Sequence, residues 1–420
     1  MRSVPSRDRP GWQIRWPMAL VAAGIIVVMG WTVLCTGRSW MLWREASAAV
    51  AAARWDQAEQ SLARRAWYRP NDVEGLRLRA LVALKRGDTA AALAWLAAVP
   101  EASPDASFAH FTRGEILREL FRIGEAELEY RACLRLDPGY TEAHRQLIVI
   151  LGVERRAAKQ EDQLWALHDE GGRPLEALRM LAQAMPVIPP GALSKTADEG
   201  MVLEQCLAAD PANRHVLPAL AYFLRNRGEV DRAASLLAPW LDKHSEDSEA
   251  LNEYLACLID AGEVEAACPW FEGHSDSRIG RFWRLRGEWL LMQGRRDDAV
   301  DSFRKTVSLD PRDPEARYRL GRALHADGRA AEAAEHMAWH ERAQELKLLA
   351  ASIADEAADT SQLVQAGRLC AEMGRTKEAR GWYALVLRLD PNHSEARAAL
   401  ASQGDQTTPP AADKTAPRTP

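Results

Sequence analysis

Residues 280–314 read GRFWRLRGEWLLMQGRRDDAVDSFRKTVSLDPRDP, and their spacing decides the fold. Trp283, Gly287, Leu290, Gly294, Ala299, Phe303 and Pro311 stand at offsets 4, 8, 11, 15, 20, 24 and 32 of a 34-residue frame that starts at Gly280. Moved forward by one period, the frame meets Arg317, Gly321, Leu324, Gly328, Ala333 and Met337. Near the end of the chain it meets Leu363, Gly367, Cys370, Gly374, Ala379, Tyr383 and Pro391. Frames starting at Ser39, Val73, Ser107, Arg214 and Ser248 repeat the columns, and the frame at Thr141 repeats them weakly. A fixed period of this length is the mark of a repeat architecture rather than of one compact core.

The columns resemble the tetratricopeptide repeat, over roughly residues 39 to 402. The physical content is a helical hairpin. Small residues at offsets 8 and 20 let two helices approach, glycine at offset 15 turns the chain at positive φ, and large residues at offsets 4, 11 and 24 fill the space between hairpins. Asp313 is placed to cap the next helix and Pro314 suits its first turn. The resemblance implies an all-α fold: an α-solenoid, a right-handed superhelix of about ten antiparallel hairpins, whose curvature makes a concave groove. The pattern degenerates between 155 and 213, where Pro186, Pro189, Pro190 and Gly191 suggest an inserted loop. Twelve extra residues between the frames at Pro314 and Thr360 are expected to lengthen a helix, and the Thr- and Pro-rich tail 403–420 is expected to be disordered.

The N-terminus carries a separate signal. Residues 17–36 contain no charge and are mostly Ala, Val, Ile, Leu, Met and Trp, long enough to cross a bilayer as a helix. Arg2, Arg7, Arg9 and Arg15 precede it in a basic arm, residues 1–16, so the arm is expected in the cytoplasm and the solenoid outside, in the periplasm of a bacterial cell with one pass through the inner membrane. Trp12 and Trp16 flank one end, Trp40 and Trp43 the other, as interfacial belts would. A cleaved signal, leaving a soluble exported repeat protein, is the competing reading; the apolar run exceeds a usual signal core and no small-residue cleavage site follows it.

Composition narrows function. Without the arm, the body keeps 50 basic and 58 acidic residues, so it lacks the basic footprint of a nucleic-acid binder. The six cysteines include no pair two residues apart; Cys257 and Cys268 fall on adjacent helices, and a bridge between them is left open. His336 and His340 share a helix face, yet His340-Glu341-Arg342-Ala343-Gln344 lacks the second histidine of a zinc protease motif. No catalytic, metal or cofactor residue is assigned, and no enzyme activity is expected.

The expected role is a membrane-anchored scaffold or adaptor in the bacterial envelope, with an accessory subunit of a secretion or cytochrome-maturation complex as the narrower alternative. In proteins this chain resembles, offsets 2, 5, 9 and 12 line the groove. Here they are Arg281, Arg284, Glu288 and Leu291, then Glu315, Tyr318, Arg322 and His325. Arginine forks bind carboxylates in pairs, so this half is expected to dock an acidic or C-terminal segment of a protein partner. Arg77, Phe108 and Phe111 fall at groove offsets nearer the N-terminus and suit apolar side chains.

Overall fold

A computed structural model of the chain describes residues 15–69, 72–183, 199–354 and 358–404, apart from the side chains of 15–27, Gly30, Gln403 and Gly404. Every regular element among them is an α-helix. Three pairs come early in the chain, α1 (Arg15–Ala51) with α2 (Trp55–Tyr68), α3 (Val73–Lys85) with α4 (Thr89–Ala97), and α7 (Thr141–Val153) with α8 (Ala157–Asp169), while α5 (Ala106–Glu119) and α6 (Ile123–Leu136) lie between the second and third of these in sequence. Then come α9 (Pro174–Leu181) and α10 (Glu199–Ala209), α11 (Val216–Asn226) with α12 (Val230–Leu241), and α13 (Ser248–Ala261) with α14 (Val264–Gly273). The series ends with α15 (Gly280–Met292) and α16 (Arg296–Leu309), α17 (Pro314–Ala326) and the long α18 (Ala330–Ser352), α19 (Thr360–Glu372) and α20 (Thr376–Leu389), and α21 (Ser394–Gly404). The basic arm up to residue 14, the Pro-rich segment at 186–196 and the tail from 405 lie outside the described residues.

The repeat columns have a direct physical reading, with one correction. The large residue at offset 24 does not fill space between hairpins; it enters the gap left by glycine at offset 8 of its own hairpin. A Cβ on Gly287 would stand 2.6 Å from the Phe303 ring, and Gly321 and Gly367 face Met337 and Tyr383 in the same way. Ala299, at offset 20, is fully buried. Asp313 caps α17, its Oδ1 accepting from the backbone N–H of Glu315 and Ala316 at 2.9 and 3.0 Å, which satisfies two donors the helix start leaves unpaired.

The turn column is held even where glycine is missing. Gly87, Gly228, Gly262, Gly294, Gly328 and Gly374 have φ between 73° and 83°. Ala53, Phe121 and Arg155 occupy the same column and take φ of 54°, 60° and 59°, the non-glycine residues with positive φ among those described. A side chain there costs about 1–2 kcal/mol, so hairpin packing dictates the turn and the local residue yields to it.

The chain divides into two compact bodies, residues 1–116 and 117–420. In the first, α1 and α2 pack through Ala46, Ala49 and Ala58, small side chains that bring the helices close, with Leu62 buried among them. Among the described residues no helix is long and apolar enough to cross a membrane. The backbone of α1 is helical through the span expected at 17–36, but most side chains of that span lie outside the description.

The second body departs from a simple stack. Sequence reasoning has each hairpin meeting only its neighbours; here the chain returns on itself. Leu164, Leu178 and Leu181 of α8 and α9 share one core with Trp339 and Leu346 of α18 and Trp382 and Val386 of α20. Arg375 Nη2 donates to Leu181 O at 2.7 Å, Arg179 Nε donates to Ala350 O at 3.1 Å, and Arg312 pairs with both Glu161 and Glu378. Gly381 leaves room for Leu178, whose Cδ2 would lie 2.9 Å from an added Cβ. Burying leucines completely is worth about 1.5–3 kcal/mol each, so the contact is part of the fold. On its other side, α6 and α7 contribute Ile123 and Val153 to the core that runs from α10 to α18. The weak repeat is the piece that joins both ends of this body.

Candidate functional site

The first helices of successive hairpins in the second body, α11, α13, α15 and α17, present charged residues to one another along a continuous seam. Its centre is Glu253 on α13, only 1% exposed. Glu253 Oε1 accepts a hydrogen bond from Arg281 Nη1 at 2.6 Å. Arg155 Nε and Arg225 Nε lie 3.3 and 3.7 Å from its two oxygens, as ion pairs without hydrogen-bond alignment. Arg225 also donates to Asp260 at 2.6 Å. The Arg155 guanidinium stacks 3.4 Å over the ring of Tyr222 on α11, and Arg225 flanks the same ring at 5.5 Å.

The seam continues with the opposite balance. Arg284 lies 3.5 Å from Glu288 and 3.3 Å from Asp313, and Arg319 lies 3.1 Å from Glu288 and 2.9 Å from Glu315. At the Arg155 end, three guanidiniums face two carboxylates, Glu253 and Asp260. At the Arg319 end, two guanidiniums face three carboxylates, Glu288, Asp313 and Glu315.

Burial and pairing compete at each group. Burial alone would raise the Glu253 pKa, but the charge and hydrogen bond of Arg281, with Arg155 and Arg225 behind them, hold it below the ordinary glutamate value. Burial lowers Arg281, and Glu253 more than restores it, so its pKa ends raised. Arg155 ends lowered: burial dominates, Glu253 offsets only part of it, and Arg281 repels. Glu288 ends raised, because burial outweighs Arg319 and Arg284. Arg155, unlike Arg281, thus keeps part of its burial cost uncompensated. It also stands in the left-handed turn where six other hairpins use glycine, so the strain is carried by the residue whose side chain reaches the site.

Of the residues expected from the sequence, Arg281, Arg284 and Glu288 lie in this seam. Tyr318 and Arg322 sit together away from its centre: the Tyr318 ring packs 5.0 Å from His340, Arg322 lies 5.7 Å over it, and Arg322 and His325 are exposed. In the first body, Arg77 pairs with Asp105 at 2.7 Å and lies 4.3 Å over the Phe108 ring, while Phe111 is half-buried. Sequence reasoning missed Tyr222, Arg225, Glu253, Arg319 and Arg155. Tyr222 and Arg225 hold groove offsets 9 and 12 of the frame at Arg214 and were open to the same rule. Glu253 and Arg319 share offset 6, outside that rule. Arg155 had only a blank in the glycine column as its signal.

Cys257 and Cys268 are both free thiols, and burial pushes the Cys257 thiol up to about 12. His340 Nδ1 lies 2.9 Å from Pro314 O, and no metal-holding group of three His, Cys, Asp or Glu occurs among the described residues.

Residues 44–107 and 284–344 match one family model described as tetratricopeptide repeat, and residues 109–140 match a second of the same description. Among solved structures, the chain is similar to a tetratricopeptide repeat protein from Parabacteroides merdae, at 13% identity over 69% of this chain and 99% of that one, with a TM-score of 0.30. It is similar to YrrB at 17% identity over 47% and 97%, TM-score 0.28, and to human IFIT1 at 16% identity over 82% and 89%, TM-score 0.36. No curated protein matches it.

Proposed function

We propose that the chain, which is a tetratricopeptide-repeat protein, works as a protein-binding scaffold held at a bacterial membrane, and that its charged seam docks an acidic or C-terminal segment of a partner. One observation carries the docking: three guanidiniums, one of them on a strained turn, converge on a single buried glutamate. A guest carboxylate at the Arg155 end adds an acceptor where three guanidiniums share two carboxylates, and charge-assisted bonds in an enclosed site are the strong ones. The excess of carboxylates at the Arg319 end suits a basic residue further along the same segment. Arg284, Glu288, Tyr318, Arg322 and His325 then extend the contact, and Arg77, Phe108 and Phe111 receive apolar side chains in the first body.

Membrane attachment is supported by α1. From Val28 to Arg38 every described side chain is exposed except half-buried Cys35, and they include Val28, Met29, Trp31, Val33 and Leu34. The Thr32 and Thr36 hydroxyls donate to the helix carbonyls of Met29 and Thr32 at 2.8 and 2.9 Å, as a span without water requires. Ser39 is the first buried side chain of α1 among the described residues. We place the N-terminus in the cytoplasm and the repeats in the periplasm, on the arginines of the arm. The narrower role, an accessory subunit of a secretion or cytochrome-maturation complex, is a special case of this reading.

Two measurements test it. Crosslinked capture from intact membranes is expected to yield one stoichiometric partner. An impermeant thiol reagent is expected to modify a cysteine placed in the C-terminal tail of intact spheroplasts, and labelling only after lysis would reverse the orientation.

A further inference from the structure

We infer that the first hairpin carries a second membrane contact, a lipid-headgroup seat formed where the end of α2 folds back beside the end of the apolar run. The inference rests on the anchor reading above and adds to it residues of α2. The hairpin's register is set by Ala46 against Ala58 and by Arg65, whose Nε donates to Ser39 Oγ at 3.3 Å and whose guanidinium lies 4.3 Å over the Trp43 ring. The helices run antiparallel, so residues beyond 65 on α2 lie level with residues before 39 on α1. At about 1.5 Å per residue, Trp67 is carried about 3 Å past the Arg65–Ser39 contact, level with Gly37, and Tyr68 and Arg69 reach the level of Thr36, where the uncharged run ends.

The side chains at this level are of one kind. Trp67 is 71% exposed, with Tyr68 packed edge-on at 4.9 Å. Trp40 on α1 is 58% exposed, with Arg44 lying 5.0 Å over its ring, and Met41 beside it is exposed. Arg38, Arg64 and Arg69 are exposed and pair with no carboxylate among the described residues, whereas buried Arg65 is committed to Asp72 at 2.6 Å. Amphipathic rings and free arginines at one height are what an interface between hydrocarbon and anionic headgroups accepts. A protein partner would not need this layer to coincide with the end of the apolar helix. The seat would fix the tilt of the first hairpin, so that repeats leave the membrane at a set angle rather than on a swivel.

The test uses the full chain reconstituted into vesicles of phosphatidylcholine with about one third phosphatidylglycerol. A photoreactive phenylalanine analogue replaces Trp67, or Leu81 on α3 as an exposed control. The expected result is a lipid adduct at 67, none at 81, and a several-fold lower yield at 67 in phosphatidylcholine alone or when Arg38, Arg64 and Arg69 are all changed to Gln. Flotation with the vesicles after alkaline washing is read in the same samples. A chain that floats but gives no lipid adduct at 67, or gives a protein adduct there, overturns the seat and leaves the anchor standing. A chain that does not float overturns both.

Discussion

The ring of Phe303 occupies the place a side chain on Gly287 would need, with Cε1 2.6 Å from an added Cβ. Gly287→Ala therefore forces the ring aside within a closed core and is expected to destabilise by about 1–3 kcal/mol. Phe303→Leu in the same chain should recover part of that loss, a coupling read from a double-mutant cycle of denaturant midpoints. Additive effects would break the assigned contact.

Two neighbouring positions check the hairpin register. Ala299 is fully buried, and Ala299→Leu should cost about 1–3 kcal/mol. Gly294 has φ of 74°, and Gly294→Val should cost at least about 1–2 kcal/mol through backbone strain. Exposed Asp297, changed to Leu, should move stability by no more than about 0.5 kcal/mol. Unchanged melting in both core variants would sink the register.

The return of α20 onto α9 predicts cooperativity that a simple stack lacks. Gly381→Val drives a side chain into Leu178 and wedges the contact. Amide exchange is expected to accelerate together in α8–α9 and α18–α20, because these helices share one core. Faster exchange in α19–α20 alone would mean that the repeats unfold as nearest neighbours only.

Much of this was legible in the sequence because the hairpin is a local device. The columns through Gly287, Gly294, Ala299 and Phe303 fix how two adjacent helices meet, and Asp313-Pro314 marks where the next begins. The return contact was not legible. Leu178 and Gly381 belong to different repeats, and whether they meet depends on small rotations summed over every hairpin between them. The candidate site was half legible for the same reason. Offsets named Arg281, Arg284 and Glu288, but the cation that crosses to them, Arg155, comes from a turn in the degenerate repeat, and only the fold of the whole second body brings it to Glu253.

Acid should act on the seam through Glu253. Its pKa is lower folded than unfolded, so it contributes stability that is present above the ordinary value of 4.5 and is lost as pH falls through the lower folded value. In Glu253→Gln that part of the acid dependence should vanish, giving a flatter plot of melting temperature against pH below about pH 5. Parallel profiles for the two chains would contradict the placement of Glu253 among its arginines.

Arg155→Gly bears most directly on the central claim, because it separates stability from binding. Glycine relieves a left-handed turn worth about 1–2 kcal/mol, while Glu253 keeps Arg281 and Arg225. The measurement is photocrosslinking in intact cells from an analogue placed at Tyr222, comparing the otherwise unchanged chain with its Arg155→Gly and Arg281→Gln variants, and with Arg304→Gln as a control outside the seam. The account predicts one partner adduct in the unchanged chain and in the control, lost in Arg155→Gly although that variant melts no lower than the unchanged chain. An adduct of equal yield in all four chains would contradict it and move the docking surface off the seam.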